Sequence, residues 1–338
     1  MARSSSDHGI CDVAVIGGGP AGSTCAYLLS QSGAEVSLWE SNQTPSPRFH
    51  EIAAPAAQPF LRRLGLDPLV EQLATRCFGI LRQWNGVTLQ THAFGTPAFI
   101  LDRLAFDTLC RERARDVGVR WVNDCLKFAH RRAGEWRLCG QRSLGRSRLL
   151  IDASGRCSFI SRRFGRTLAT GEPTLAIGVS YATNGPANQM LRVERVATGW
   201  WYFVDRAGTT DAVWVVPRQA LAGRRAQDML GDALGTSHWA NATRECRNTW
   251  SEPRVMDATP RAHVAAGDHW LAIGDAAAAY DPISSQGLTN SLSTAWFAAR
   301  ALQDYDEGNS SALDVYAAAV YLTWERTLSE QYEIYARP

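Results

Sequence analysis

Near its start the chain changes hydrophobic period twice in quick succession. Val13 to Ile16 is an unbroken apolar run, the pattern of a parallel strand buried on both faces. Glycines interrupt it, Ala21 to Ser32 has helical composition, and Glu35 to Trp39 is a second short strand ending at Glu40. Ala53–Leu64 and Asp67–Thr75 read as helices split by Gly65. Phe78–Trp84 and Val87–His92 read as a hairpin around Asn85-Gly86, a strong two-residue turn signal. A helix is expected from about Leu104 to Val117, then strands at Arg120–Val122, Leu126–His130, Glu135–Leu138 and Leu149–Asp152. Ala153-Ser154-Gly155 opens a further helix, to about Phe164.

The pattern then shifts. Thr174–Thr183, Met190–Val196, Gly199–Asp205 and Asp211–Val216 are rich in Val, Trp and Tyr, and predict successive antiparallel strands. A helix near Arg224–Leu234 and a strand near Arg244–Trp250 follow. Trp270–Asp275 returns to the buried-strand pattern, the loop Ala276–Gln286 follows, and helices close the sequence at Gly287–Leu302 and Leu313 to about Tyr335. The expected fold class is α/β: a Rossmann-type nucleotide-binding domain with an inserted antiparallel β-sheet substrate domain. The expected division assigns residues 1–76, 101–165 and 267–338 to the former, and 77–100 and 166–266 to the latter.

Composition narrows the function classes. The 338 residues are 45% apolar, enough for a sizeable core. A net charge of +2 gives no reason to expect nucleic acid or an anionic membrane as partner. Lys127 is the only lysine. The eight cysteines show no CxxC and no metal-ligand spacing, which suits a reducing cytoplasm better than a disulfide scaffold, and no metal is expected. Met1 to Gly9 lacks a signal-peptide core, and no apolar run reaches about 18 residues, so stable membrane insertion is not expected.

The glycines carry the first chemistry. In Gly17-Gly18-Gly19-Pro20-Ala21-Gly22, Gly17 permits the tight turn, Gly19 lets the backbone approach a pyrophosphate, and Gly22 lets the helix pack on the strand. The helix opening at Pro20 and Ala21 would turn its free N–H groups and positive dipole end toward the phosphates. Glu40, 18 residues after Gly22, stands where a ribose hydroxyl acceptor is expected. Two further motifs are Ile151-Asp152-Ala153-Ser154-Gly155-Arg156 and Ile273-Gly274-Asp275 with Asp281-Pro282-Ile283-Ser284-Ser285-Gln286-Gly287-Leu288. Asp275 ends a strand, where ligands of open α/β sheets bind. Gly287 starts a helix, which offers free N–H groups to a carbonyl.

Together the three motifs resemble FAD-dependent oxidoreductases of the p-hydroxybenzoate hydroxylase fold. That group includes aromatic monooxygenases, flavin-dependent halogenases and geranylgeranyl reductases. The resemblance implies that Gly17, Gly19, Pro20, Ala21, Gly22 and Glu40 hold the ADP half of FAD, and that Asp275 binds the ribityl chain. It implies that Pro282, Gly287 and Leu288 lie against the flavin pyrimidine, that Arg103 lies near the pyrophosphate and ribityl chain, and that Arg48 lies near the isoalloxazine. Asp152-Ala153-Ser154-Gly155 replaces the Asp-Gly of many hydroxylases, and Ser284 stands where they carry glycine. Both departures resemble halogenases and the maturation flavoproteins that modify residues of a partner protein or peptide.

The activity this implies is hydroxylation of an electron-rich aromatic, of indole or phenol type, through a flavin C4a-hydroperoxide. The aromatic belongs to a small molecule or to a peptide or protein side chain. The reductant is transiently bound NADH or NADPH, or a separate flavin reductase supplies the electrons. Halogenation is disfavoured because the tryptophan-type halogenases need a tunnel lysine, and Lys127 falls in the nucleotide half. Their Trp-x-Trp-x-Ile-Pro signature is also absent. Alternatives are a flavin-dependent reductase acting on a hydrophobic substrate and a flavoprotein maturation partner. Candidate catalytic residues are His50, Asp281, Trp200 and Tyr202. His50 reads more readily as a surface-loop histidine and the aromatics as core, while Asp281 reads equally as a turn residue before Pro282. Alternation puts Trp200 and Tyr202 on one face of their strand and Trp201 on the other.

Overall fold

A computed structural model describes residues 6–42, 48–84, 89–184, 187–206, 208–221, 223–239 and 250–336. Strand β1 (Ser6–Ile16) leads into α1 (Pro20–Gln31), whose buried face of Ala21, Gly22, Ser23, Cys25 and Ala26 is small enough for close packing on the sheet. Then come β2 (Val36–Trp39), the three-residue β3 (Glu51–Ala53), and the short helices α2 (Gln58–Arg63) and α3 (Asp67–Leu73). Strands β4 (Thr75–Gln83) and β5 (Gln90–Leu101) pair antiparallel as expected of a hairpin. The Asn85-Gly86 turn lies outside the described residues. Helix α4 (Arg103–Asp116) starts at Asp102, whose carboxylate accepts from the Leu104 and Ala105 N–H groups.

Strands β6 (Arg120–Val122), β7 (Leu126–Arg132), β8 (Glu135–Gly140) and β9 (Ser143–Asp152) follow. The helix expected from Ala153 to Phe164 is broken. Only a 3-10 turn at 155–157 and α5 (Ser161–Phe164) form, with Ser158 between them at φ +47°. The cause is the buried Asp152 carboxylate, which accepts from the N–H groups of Ser154, Ile160 and Ser161 and so wraps the segment around itself.

Next come β10 (Thr167–Thr170), β11 (Thr174–Ala182), β12 (Met190–Val196), β13 (Gly199–Arg206), β14 (Thr209–Pro217) and α6 (Ala226–Leu234). The strand expected near Arg244–Trp250 falls almost wholly outside the described residues. The chain closes with β15 (Arg254–Asp257), β16 (Arg261–His263), β17 (Ala266–Gly267), β18 (Trp270–Ala272), β19 (Ala278–Ala279), α7 (Gly287–Asp306) and α8 (Ala312–Ala336).

Two large sheets result. The first runs β17-β18-β9-β1-β2-β6 and carries the β7–β8 hairpin on β9. Its central strands are parallel, so Ile16, Trp39, Asp152 and Ala272 end at one edge. The second runs β15-β11-β14-β13-β12-β4-β5-β3. It is antiparallel except for one parallel pair, β4 with β12. β3 and the first residues of β4 hydrogen-bond in this second sheet, although their sequence neighbours belong beside the first. β10, β16 and β19 form a small third sheet.

Apolar side chains between the first sheet and α1, α7 and α8 form the largest core. On the second sheet the alternation in β13 sorts its aromatics. Trp201 and Phe203 face α6, with Trp201 stacked on Phe203 and Trp214 at 5.8 and 6.1 Å. Trp200 and Tyr202 face the other way. No described helix is long and apolar enough to cross a membrane.

Candidate active site

The parallel strands bring the three motifs together at their C-terminal ends. The Ala153 N–H donates to Ile16 O at 2.8 Å, and the Ile273 N–H donates to Asp152 O at 2.9 Å. Gly17, at φ +110°, has no room for a side chain, because a Cβ would collide with the Ala153 carbonyl. A Cβ on Gly22 would overlap the Gly17 carbonyl oxygen. One on Gly274 would come within 2.9 Å of the Ala21 Cβ. Gly17 is thus dictated by the backbone of the second motif, Gly22 by the backbone of its own, and Gly274 by the Ala21 side chain of the first.

Gly19 differs from these, for nothing lies within 4 Å of where its Cβ would be. It caps α1 without any side-chain cap, Pro20 occupies the first turn, and that turn carries no acidic residue. An uncapped helix start beside open space fits a pyrophosphate. At the end of β2, the Glu40 carboxylate accepts from the Gly18 N–H at 2.8 Å and the Asn42 N–H at 2.8 Å, and pairs with Arg111 at 3.5 Å. Arg111 also donates to Gly18 O and Asn42 O. Arg48 is exposed, and its charge is felt at both Arg111 and Asp275. These residues fit the ADP half of FAD, with an acid suited to a ribose beside a bare helix start suited to phosphates.

Asp275 follows β18 and pairs with Arg156 at 3.4 Å. Burial raises its pKa, against the pull of the arginine. Arg156 also donates to Thr259 O and Tyr280 O, so it pins the Asp275 loop from the side of β9. Arg103 is buried and committed to two carboxylates, Asp107 at 3.0 Å and Glu51. The other Glu51 oxygen reaches the start of α7, 2.7 Å from where a Cβ on Gly287 would stand. α7 begins without a side-chain cap, and the Thr289 hydroxyl in its first turn is buried without a hydrogen bond. Leu288 is buried and Pro282 opens the 3-10 turn at 282–284. The uncapped helix start and the orphaned hydroxyl fit a flavin pyrimidine edge.

The crevice face of the second sheet supplies aromatics. Trp200 and Tyr202 lie 5.7 Å apart, and Trp84, Ile283 and Tyr335 join the same cluster. Asp281 borders it, buried, accepting from the Ile283 N–H at 2.8 Å. Burial pushes the Asp281 pKa up to about 6, despite the donors from Ile283 and Tyr335 and the nearby Arg156. Burial also drives the Tyr202 hydroxyl well above its usual range, with Glu51 and Asp211 adding to it.

His50 is not a free loop residue. Its Nδ1 lies 2.7 Å from the buried Asp211, which also accepts from the His50 N–H and from Ser180 Oγ. His50 Nε2 lies 3.3 Å from Arg206 Nη1. Arginine can only donate, so Nε2 is the acceptor and Nδ1–H donates to Asp211. Arg206 in turn donates to Asp102, at the start of α4. No local pattern marks Glu51, Arg111, Asp211 or Tyr335, whose partners lie far away along the chain. Arg156 stands in the second motif, but its bonds to Asp275, Thr259 and Tyr280 form only in the fold. Among the described residues no group of three His, Cys, Asp or Glu side chains is placed to hold a metal.

A profile of the NAD(P)-binding Rossmann-like domain matches residues 15–66. LodB of Marinomonas mediterranea, an FAD-dependent oxidoreductase by name, is 28% identical over 86% of this chain and 84% of its own. The flavin-dependent brominase Bmp2 superposes with a TM-score of 0.81 at 19% identity, over 92% of this chain and 84% of its own. The peptidyl tryptophan dihydroxylase QhpG superposes with a TM-score of 0.77 at 23% identity, over 94% of this chain and 73% of its own. With the three motifs converging on one crevice, the chain is an FAD-dependent oxidoreductase of the p-hydroxybenzoate hydroxylase fold.

Proposed function

We propose that the protein is a monooxygenase that hydroxylates an electron-rich aromatic ring of indole or phenol type. The observation that carries this reading is the aromatic face of Trp84, Trp200 and Tyr202 meeting a buried carboxylate, Asp281, just before the helix that would receive the flavin. FAD, held by Gly17, Gly19, Pro20, Ala21, Gly22, Glu40, Asp275, Gly287 and Leu288, supplies oxygen activation and oxygen-atom transfer. Arg48 and the pinned Arg103 set the charge along it. The chain's own side chains orient the ring, exclude water and handle one proton. Asp281, with its pKa near 6, takes the proton from a ring hydroxyl or ring nitrogen, which raises the electron density of the carbon to be oxidised. Trp200 Nε1–H is a donor beside it. The Asp211–His50 pair ties the residue before β3 to β14 of the same sheet and so helps hold the Glu51 strand in place.

The electrons would come from transiently bound NADH or NADPH, or from a separate flavin reductase. The aromatic is carried by a small molecule or by a peptide. The likeness to QhpG, a peptidyl tryptophan dihydroxylase, supports the second form. The test is NAD(P)H and oxygen consumption by the purified yellow protein, with indoles, phenols and any peptide encoded beside it. Substrate-stimulated oxygen uptake with a hydroxylated product supports the reading, and turnover without oxygen refutes it. Halogenation is the second reading, favoured by the likeness to Bmp2. Against it, Lys127 is exposed on β7 of the other sheet. Chloride- or bromide-dependent product would decide for it.

A further inference from the structure

The last turn of α8 reaches into the aromatic cluster. Tyr335 Oη accepts the Trp200 Nε1–H at 2.8 Å and lies 3.1 Å from both Asp281 oxygens, to which it donates. Its ring lies 6.3 Å from that of the buried Trp84, tilted by 33°. Arg195 donates to the Tyr335 carbonyl at 2.9 Å while its guanidinium lies over Trp84. Ile334 packs into the same cluster. The Trp84 indole N–H beside it is buried with no hydrogen-bond partner.

This is the full recognition set for a phenol: an aromatic wall, an N–H to the hydroxyl oxygen and a carboxylate for its proton. A buried indole donor and a buried carboxylate both need a partner, and a tyrosine on the last helix provides it for each. We propose that Tyr335 is an internal occupant of the substrate subsite, and that the site takes a para-substituted phenol in its place when the end of α8 withdraws. The inference rests on the reading of the cluster as the substrate site. No bond is made or broken in the exchange, since one phenol hydroxyl replaces another between Trp200 and Asp281. The apparent affinity of such a phenol is lowered by the fraction of time Tyr335 is seated.

The test uses the flavin-loaded, full-length protein and two probes, p-cresol for a free phenol and N-acetyltyrosinamide for a peptidyl one. Calorimetric titration of the wild type and of Tyr335→Ala is expected to show at least about tenfold tighter phenol binding to the variant, with toluene at least about tenfold weaker than p-cresol. Which probe binds more tightly assigns the source of the phenol. Because any cavity accepts a ligand, hydrogen exchange on the wild type is the second readout. Saturating phenol is expected to speed exchange of the amides at residues 333–336. Unchanged or slower exchange there, equal affinities in wild type and variant, or no binding to either overturns the proposal. If Tyr335→Ala fails to fold, Tyr335→Phe takes its place and is expected to speed exchange of the same amides without ligand. Phenol binding with faster exchange but no oxygen-dependent product would leave this inference standing and refute the hydroxylase reading. Hydroxylation with the end of α8 still protected would do the reverse.

Discussion

Asp281→Asn separates what this carboxylate does for the fold from what it does for the chemistry. Asparagine keeps an oxygen for the Ile283 N–H and the Tyr335 hydroxyl but never ionises. The aspartate carboxyl, by contrast, moves from an ordinary pKa of 3.8 to about 6 on folding, chiefly through burial. The folded state therefore holds the proton more tightly than the unfolded one. The stability this contributes is complete below pH 3.8 and is lost as pH rises through about 6. At ~1.4 kcal/mol for each factor of ten in proton affinity, ionising Asp281 in the fold costs about 3 kcal/mol at pH 8. At pH 5 the folded group is mostly protonated, and the penalty falls to about 1.5 kcal/mol. Asp281→Asn should thus be stabilising, by about 3 kcal/mol at pH 8 and about half that at pH 5, measured by urea unfolding. The same variant should lose hydroxylation by about a hundredfold or more while keeping its flavin, because it cannot accept a proton. No gain at pH 8, or an equal gain at both pH values, would refute the argument.

Gly22→Ala drives a Cβ into the Gly17 carbonyl, so the variant should lose both bound flavin and thermal stability, seen in the visible spectrum and the melting curve. Glu40→Gln keeps the size of the side chain but removes the charge facing Gly18 N–H and Arg111. FAD affinity should fall by about tenfold or more, in line with about 1.5–3 kcal/mol for a charged hydrogen bond, with little change in melting temperature. Fluorescence titration of the apoprotein reads this out. Trp201→Ala empties the buried stack with Phe203 and Trp214 and should destabilise the protein by about 3–5 kcal/mol in denaturant, while the remaining folded molecules bind FAD normally.

The nucleotide-binding half was legible because its chemistry is local. Gly17, Gly22 and Glu40 belong to one strand–helix–strand unit whose spacing shows in the sequence, although the Ala153 carbonyl that crowds Gly17 and the Arg111 that pairs with Glu40 come from elsewhere. The faces of Trp200, Trp201 and Tyr202 followed from alternation alone. What escaped was of two kinds. Strands β3, β10, β16 and β19, of two to four residues, are too short to show a period and exist because neighbouring strands pair with them. The other kind is partnership at a distance. Asp211 meets His50 and Tyr335 meets Trp200 only after the sheets assemble. Asp152 shows a third case: the motif was recognised, but its demand for N–H donors bent the expected helix into two short turns.

The parallel pair of β4 and β12 has a consequence for how the protein is made. Gly79 pairs with Met190, so the β4–β5 hairpin waits for a partner that leaves the ribosome much later. At 5–20 residues per second that interval is roughly 5–20 s. Throughout it one edge of β4 presents unpaired N–H and C=O groups to any other strand nearby. β11 to β14 cannot complete the sheet without that hairpin, nor the hairpin without them. Slower growth at lower temperature, or a chaperone holding the nascent hairpin, should therefore raise soluble yield more than any change to the finished core.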